Sequence, residues 1–384
     1  MSIDVLLEPA HLALRDEAAR LASPFAQRAA DNDRAGRFPS ENFDDLRAAG
    51  LLALTVPAEG GGRGESFLGF HLVAEQVAKG DASTCLCYSM HCAGVAMAMD
   101  GGDAAQAVRY GRLAADGGKL FTVGFTEPGS GSHFLAPQAL AERVPGGYRL
   151  TGRKAFATSA GAADVILTNA VVPETAEEGF TIFALEPAAM VGVHIEGAWD
   201  AMGMRSNDSR SLTLDGVFVP DSARIGEEGT GADIALRPSF VPLGLATASI
   251  GIAQAALEMA VDHARTRVIA GDDAALAGYQ AIRFLLAEMA MTTNAMRLVV
   301  MRAALVAERQ PEQGTLALTE AKAFCNPLGF EVANKALQVV GGRGYLRGHP
   351  AERLVRDARA GDLMAPTGQQ AREGIAKSLL DVEE

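Results

Sequence analysis

The chain has few cysteines and little positive charge, and it lacks the long hydrophobic runs of a membrane protein. Four cysteines occur among 384 residues: Cys85, Cys87 and Cys92 in one short apolar stretch, and Cys325. No Cys-x-x-Cys pair is present, so buried thiols in a reducing compartment are the reading, over a metal or disulfide site. Lysine and arginine total 34 against 47 aspartates and glutamates, a net charge of -13. Nucleic-acid binding needs clustered cations on phosphate, so this balance argues against such a partner and favours solubility. No charged-then-apolar leader opens the sequence, and no uninterrupted apolar run reaches bilayer length. A cytoplasmic protein with no membrane contact is the expectation.

With 48% hydrophobic residues, the chain can build a large core or several compact domains. Residues 1–119 read as helical. Leu12, Ala18, Leu21 and Phe25 recur at helical spacing, while Pro39, Pro57 and Gly60-Gly61-Gly62 mark breaks and a loop. Residues 120–225 read as a compact antiparallel β-domain. Strands are expected near 121–125, 148–158, 163–172, 180–185, 193–199 and 211–217, separated by Gly, Pro and Asp. Residues 226–384 return to long apolar helices, near 245–267, 281–308 and 316–340, which suit a bundle. Pro327 should kink or split the last of them. The fold class is α+β: N-terminal helical domain, central β-domain, C-terminal helical bundle.

Two short segments can hold a planar, phosphate-bearing cofactor. Thr126, at a strand end, offers a hydroxyl and backbone groups. Gly131 permits close approach, and Ser132 can donate to phosphate. Phe156 and Thr158 lie two apart on one strand, which should put an aromatic wall and a hydroxyl on one side. The plainer alternative makes Phe156 core and the glycines simple turns.

Several blocks decide between these readings by their order and spacing. They are Phe125-Thr126-Glu127-Pro128-Gly129-Ser130-Gly131-Ser132-His133, Gly152-Arg153-Lys154-Ala155-Phe156-Ala157-Thr158, Gly203-Met204-Arg205-Ser206, and Val217-Phe218-Val219-Pro220. Gln338-Val339-Val340-Gly341-Gly342-Arg343-Gly344-Tyr345 and the stretch Arg356 to Gln369 complete the set. Together they resemble the acyl-CoA dehydrogenase family across almost the whole chain. The resemblance implies the helix–sheet–helix order above and a homo-oligomer, a tetramer or dimer. It also implies a flavin held between β-domain and bundle, near Phe125, Thr126, Gly131, Ser132, Phe156 and Thr158. Phe156 stands where the family usually has tryptophan, and His133 where its signature has aspartate. For the adenine half it implies Arg267, Gln338, Gly342, Thr367 and Gln369, which favours FAD over FMN, although the aromatic of the family's Arg-x-x-Phe-Gly run is missing after Arg267.

The same resemblance places the usual catalytic glutamate at Ala365. The family's alternative base position aligns with Val241, followed by Pro242 where an arginine is often found. Neither Ala365 nor Val241 can accept a proton. Asp362 is a nearby carboxylate expected in a solvated loop, His91 a packing residue, His133 a surface residue, and Asp208–Arg210 an ion pair. Three functions follow. The first is a monooxygenase that uses reduced flavin from a separate reductase to hydroxylate an apolar small molecule; Ala365, Pro366 and Val241 would then line a pocket that excludes water. The second is an acyl-thioester dehydrogenase with a displaced base and an electron-transfer partner. The third is a silent family member, against which the retained flavin contacts argue.

Overall fold

The computed structural model of the chain describes residues 3–131, 133–271 and 274–382. Ser132, one of the expected phosphate contacts, lies outside the described residues. The N-terminal region consists of α1 (Pro9–Ala35), α2 (Ser40–Ala48), α3 (Phe67–Gly80), α4 (Ala82–Asp100) and α5 (Ala104–Ala115). Local chemistry sets these limits. Helix α1 starts on Pro9, where the missing amide costs nothing, and stops at Gly36 in the left-handed region. Helix α4 begins where the Asp81 carboxylate accepts from the Thr84 amide, and α5 where Asp103 and Gln106 form a capping box.

The middle of the chain folds into two four-stranded sheets. One has the order β1 (Phe121–Gly124), β4 (Val165–Ala170), β5 (Thr181–Leu185), β8 (Arg224–Ile225). The other runs β2 (Leu140–Val144), β3 (Gly147–Ala157), β7 (Arg210–Pro220), β6 (Val193–Glu196). The domain is not antiparallel throughout. Strand β1 pairs in parallel with β4, from Phe121 beside Val165 to Gly124 beside Thr168. Parallel strands need a long crossover, and β2 and β3 lie between these two in the chain and supply it. The inner faces of the two sheets share a core that includes Leu150, Ile166, Phe183, Leu214 and Val217. The outer face of the first sheet packs on α4 and α5 through Val95, Tyr110, Phe121, Leu167 and Ile182. Strands β4 and β5 are therefore buried on both faces, which explains their unbroken burial where a half-buried strand would alternate.

The C-terminal helices are α6 (Gly231–Ala235), α7 (Phe240–Thr266), α8 (Gln280–Arg309), α9 (Pro311–Val340), α10 (Pro350–Leu363) and α11 (Gly368–Leu380). Helix α9 is not split at Pro327. Both ends of that proline's turn are held by buried neighbours, among them Ala323, Cys325, Asn326 and Gly329, so packing outweighs the lost hydrogen bond. One core joins both helical regions: Phe25, Phe70 and Tyr88 share a cluster with Leu243, Ile250, Met296 and Leu318. By length and mean hydropathy, Gly231–Thr266 and Gln280–Arg309 each reach what a bilayer span needs, at 1.6 and 1.3. The first is 72% buried and is a core helix of this bundle. The second keeps an open apolar face.

Candidate active site

Strand β3 ends in a distortion that turns an aromatic ring out to the surface. Its pairing with β7 slips between Lys154 and Ala157, and Phe156 has φ +57°. A bulky residue in the left-handed region costs on the order of 1–3 kcal/mol and persists only where the surroundings enforce it. The slip buries Lys154 and Ala155 in succession and leaves Phe156 65% exposed. Thr158 turns inward instead, its hydroxyl 3.2 Å from that of Ser209. The expectation that Phe156 and Thr158 share one face is thus corrected, because the bulge breaks strand alternation between them.

Three further left-handed residues, Ser159, Met204 and Asp208, adjoin this point. The Ser159 amide donates to the Asn207 carbonyl at 2.9 Å, and Asp208 pairs with Arg210 at 2.6 Å. Trp199 sets its ring edge-on to Phe156, with centroids 6.1 Å apart, and donates from Nε1 to the Met204 carbonyl at 3.1 Å. The side-chain nitrogen of Asn207 is buried and has no hydrogen-bond partner among the described residues.

The neighbouring loop is anchored by a buried ion pair. The Glu127 carboxylate accepts from Lys154 Nζ at 2.6 Å and from the amides of Gln138 and Ala139 at 2.6 and 3.0 Å. Burial opposes the charge of Glu127, but these donors outweigh it and hold its carboxyl below the usual range. Burial, partly offset by Glu127, lowers Lys154 to about 8. Thr126 joins this strand end through its carbonyl, which accepts from the Ala155 amide at 2.7 Å. Gly129 and Gly131 have φ of +88° and +57° and face open space, so a ligand can approach their backbone closely. Phe125 differs from its expected place. Its ring lies in the core, near Phe134 and Phe180, because β1 is covered on both sides. Only its backbone remains for a ligand. His133 is exposed.

Ala365 sits between α10 and α11, half-buried. The flanking carbonyls of Met364 and Pro366 both accept from Lys322 Nζ, the former at 3.1 Å. Lys322 lies on α9 and is fully buried. Burial, with the charge of Arg372 adding to it and that of Asp362 opposing it, lowers its pKa to about 8. Asp362 is part of helix α10, not of a solvated loop, and pairs with Arg359 at 3.2 Å. Val241 occupies the first turn of α7, half-buried, where its amide donates to the Ser239 hydroxyl. The Thr367 hydroxyl caps α11 in a box with Gln370, and Gln369 is exposed. His91 is a packing residue: it donates to the Leu52 carbonyl at 2.6 Å and accepts from the Phe121 amide at 3.0 Å, and burial lowers its pKa to about 4.

At the far end of the bundle, Arg267 is exposed and ends α7, while Gln338 is exposed near the end of α9, one turn before exposed Gly342. His263 sits between these ends. Burial and the charges of Arg267, His349 and Arg343 lower its pKa, so this corner is cationic. A flavin needs a flat wall, hydroxyl and amide partners along one ring edge, and donors or cations for its phosphates. The exposed Phe156 ring, the Thr158–Ser209 pair, the unpartnered Asn207 nitrogen and the open glycine turn fit that requirement. Among the described residues, no group of three or more His, Cys, Asp or Glu side chains can hold a metal ion.

Fold and site together define a flavoenzyme with two helical regions around a β-sandwich, and comparison with known proteins specifies it. The N-terminal, middle and C-terminal domain descriptions of acyl-CoA dehydrogenases match residues 8–118, 122–217 and 242–380. An acyl-CoA dehydrogenase of Bacillus subtilis is 32% identical over 373 residues, 96% of each chain. A cyclohex-1-ene-1-carbonyl-CoA dehydrogenase of Geobacter metallireducens is 32% identical over 370 residues, again 96% of each. The structure of butyryl-CoA dehydrogenase from Megasphaera elsdenii superposes with a TM-score of 0.89 at 28% identity, covering 99% of this chain and all of that one. The chain belongs to the acyl-CoA dehydrogenase family and is an FAD-dependent oxidoreductase.

Sequence reading missed Ser209, Trp199 and Lys322 as contributors to the site. Only Lys322 left a signal. It follows Leu318 and Ala321 and precedes Cys325 at helical spacing, so it falls on the buried face of α9.

Proposed function

We propose that this chain is a monooxygenase that inserts one oxygen atom of O2 into an apolar small molecule. The balance is substrate R–H, O2 and reduced flavin giving R–OH, water and oxidised flavin, with a separate reductase supplying the two electrons. One observation carries this reading. The two places where a family member would keep its base hold Ala365 and Val241, and neither side chain can accept a proton. Asp362 pairs with Arg359, and Lys322 holds the carbonyls on either side of Ala365. Two base positions without a proton acceptor suit a reaction that abstracts no α-proton, and an apolar lining of Val241, Ala365 and Pro366 would limit water at the reacting atoms.

Bound FAD supplies the electrons; the chain supplies the rest. In this reading its ring lies near Thr126, Phe156 and Thr158, with Phe156 as the flat wall and Thr158, fixed by Ser209, as a hydroxyl partner. The adenine half lies towards Arg267, Gln338 and Gly342, with at least one of them from a second subunit. Helix α8 supports such a partner. Phe284, Met291 and Leu298 are exposed at seven-residue spacing, an apolar stripe suited to a second copy of this chain.

The second reading is α,β-dehydrogenation of an acyl thioester with a displaced base, and the 32% identity to a Bacillus subtilis acyl-CoA dehydrogenase favours it. Asp362 would be the first residue to substitute. Anaerobic mixing with straight-chain acyl-CoA thioesters separates the two. We expect the flavin to stay oxidised, and reduced flavin with ¹⁸O2 and apolar aromatic or polycyclic substrates to give labelled alcohol. Rapid anaerobic bleaching would overturn the oxygenase reading.

A further inference from the structure

Asp357 is a fully buried carboxylate that the site described above does not use. It lies on α10, and its Oδ1 accepts a 2.6 Å hydrogen bond from the amide of Met204. Met204 has φ +46°, a conformation a methionine holds only under constraint. The contact is close on the backbone side too. A side chain at Gly203 would collide with the Arg356 carbonyl oxygen. Beyond Met204 the chain of contacts continues outward: its carbonyl accepts from Trp199 Nε1, and the Trp199 ring edges Phe156. Phe156 is the exposed, left-handed aromatic at the proposed flavin face. A helix of the bundle is therefore tied to that face through one buried carboxylate, one strained residue and one indole.

We propose that Asp357 is a positioning residue for the flavin face: its carboxylate, acting through the Met204 amide, fixes Trp199 against Phe156, and protonation of that carboxylate loosens the wall. The inference rests on Phe156 being the flavin wall. The charged groups around Asp357 are few. Asp33 approaches from α1, paired with Arg356, and Asp81 from the start of α4; Arg353 lies one turn earlier on α10. The loop from Trp199 to Arg205 brings Asp200 and Arg205, which pair with each other. Arg353 and the Met204 amide favour the carboxylate, while burial and the two other aspartates oppose it. Burial prevails, so Asp357 titrates at about 7. An ionised acceptor makes a hydrogen bond roughly twice as strong as a neutral one, so the tie weakens as pH falls through that value.

Trp199 is the only tryptophan in the chain, so intrinsic fluorescence reports this contact directly. The full-length protein is titrated through pH 7, with and without FAD, alongside Asp357→Asn and Trp199→Phe. In the wild type, Trp199 emission should step near pH 7, and FAD should be held about fivefold more weakly on the acid side, the size expected when one charge-assisted hydrogen bond becomes neutral. Asp357→Asn should show flat emission and the weaker retention at every pH. Trp199→Phe keeps Asp357 but cuts the bond to Met204, so its FAD retention should lose the pH step. The proposal is overturned if Asp357→Asn keeps the wild-type step, if Trp199→Phe keeps the pH-dependent retention, or if the wild type shows no step. Quenching of Trp199 by added FAD tests the underlying reading separately. Quenching without a step removes Asp357 alone, while no quenching removes Phe156 as the flavin wall.

Discussion

Replacing Lys322 with methionine should loosen the loop that carries Ala365 while leaving the bundle folded, and the magnitudes show why. The ammonium donates to the carbonyls of Met364 and Pro366. A hydrogen bond from a charged donor contributes about 1.5–3 kcal/mol, so the two together hold the loop by roughly 3–6 kcal/mol. Burying the charge works against this. The drop in pKa from 10.5 to about 8 corresponds to roughly 3 kcal/mol of disfavoured charge at neutral pH. Methionine matches the length of the stem, removes that penalty and loses both bonds. The net global loss is then at most about 3 kcal/mol, while the loop loses the cation that holds the carbonyls on both sides of Ala365. Hydrogen exchange should therefore speed up across 362–370 far more than across the rest of α9, with a small change in melting temperature. In an oxygenase the same loosening admits water, so a larger share of reducing equivalents should appear as hydrogen peroxide. Unchanged exchange at 362–370, or collapse of the whole bundle, would refute this division between local and global effects.

The fold was largely legible because its periodicities differ sharply between regions. Helical spacing fails near Leu120 and resumes after Gly231, and the observed elements follow that change. What was lost depended on tertiary contacts that a sequence does not carry. The parallel pairing of β1 with β4 is invisible in four residues, and β2 (Leu140–Val144) was missed because its exposed positions, Leu140, Glu142 and Arg143, mask any inward-facing pattern. Strand counting put Phe156 and Thr158 on one side. The bulge that separates them arises from a register slip against β7, a strand more than fifty residues away. The flavin segment itself could be found, because glycines and hydroxyls in a fixed order are local signals. Its supports could not. Asp357 and Met204 are 153 residues apart in sequence, and nothing near either residue announces the other.

Single substitution of the buried pair, Lys154→Met or Glu127→Gln, should cost about 3–5 kcal/mol each, because either leaves a charge buried without its partner. The double substitution should cost less than the sum by about 1–3 kcal/mol in thermal or urea unfolding; strict additivity would mean the pair is not coupled. Lys322 also sets a pH dependence. Its folded pKa of about 8 lies below the ordinary 10.5, so between those values the folded chain binds fewer protons than the unfolded chain. Its contribution to stability rises with pH across that window and is lost as pH falls through 8. The melting temperature of the wild type relative to Lys322→Met should accordingly climb from neutral to alkaline pH, and a constant difference would argue against a buried ammonium. Ala365→Glu tests the reaction itself. The position lies between two carbonyls fixed by Lys322, so a glutamate would be borne on an anchored loop, next to a cation that favours its ionised form. If the cavity retains the shape of an acyl-thioester site, restoring a base should raise anaerobic flavin reduction by an acyl-CoA by about 10²–10⁴-fold over the wild type. If the cavity has been rebuilt for an apolar substrate, the glutamate finds no acidified α-carbon, and its charge draws water to the reacting face instead. Hydroxylation should then fall, peroxide should rise, and acyl-CoA should still fail to bleach the flavin. Strong bleaching by Ala365→Glu, combined with none by the wild type, would mean that the scaffold is still a dehydrogenase lacking only its base, and the oxygenase reading would have to be withdrawn.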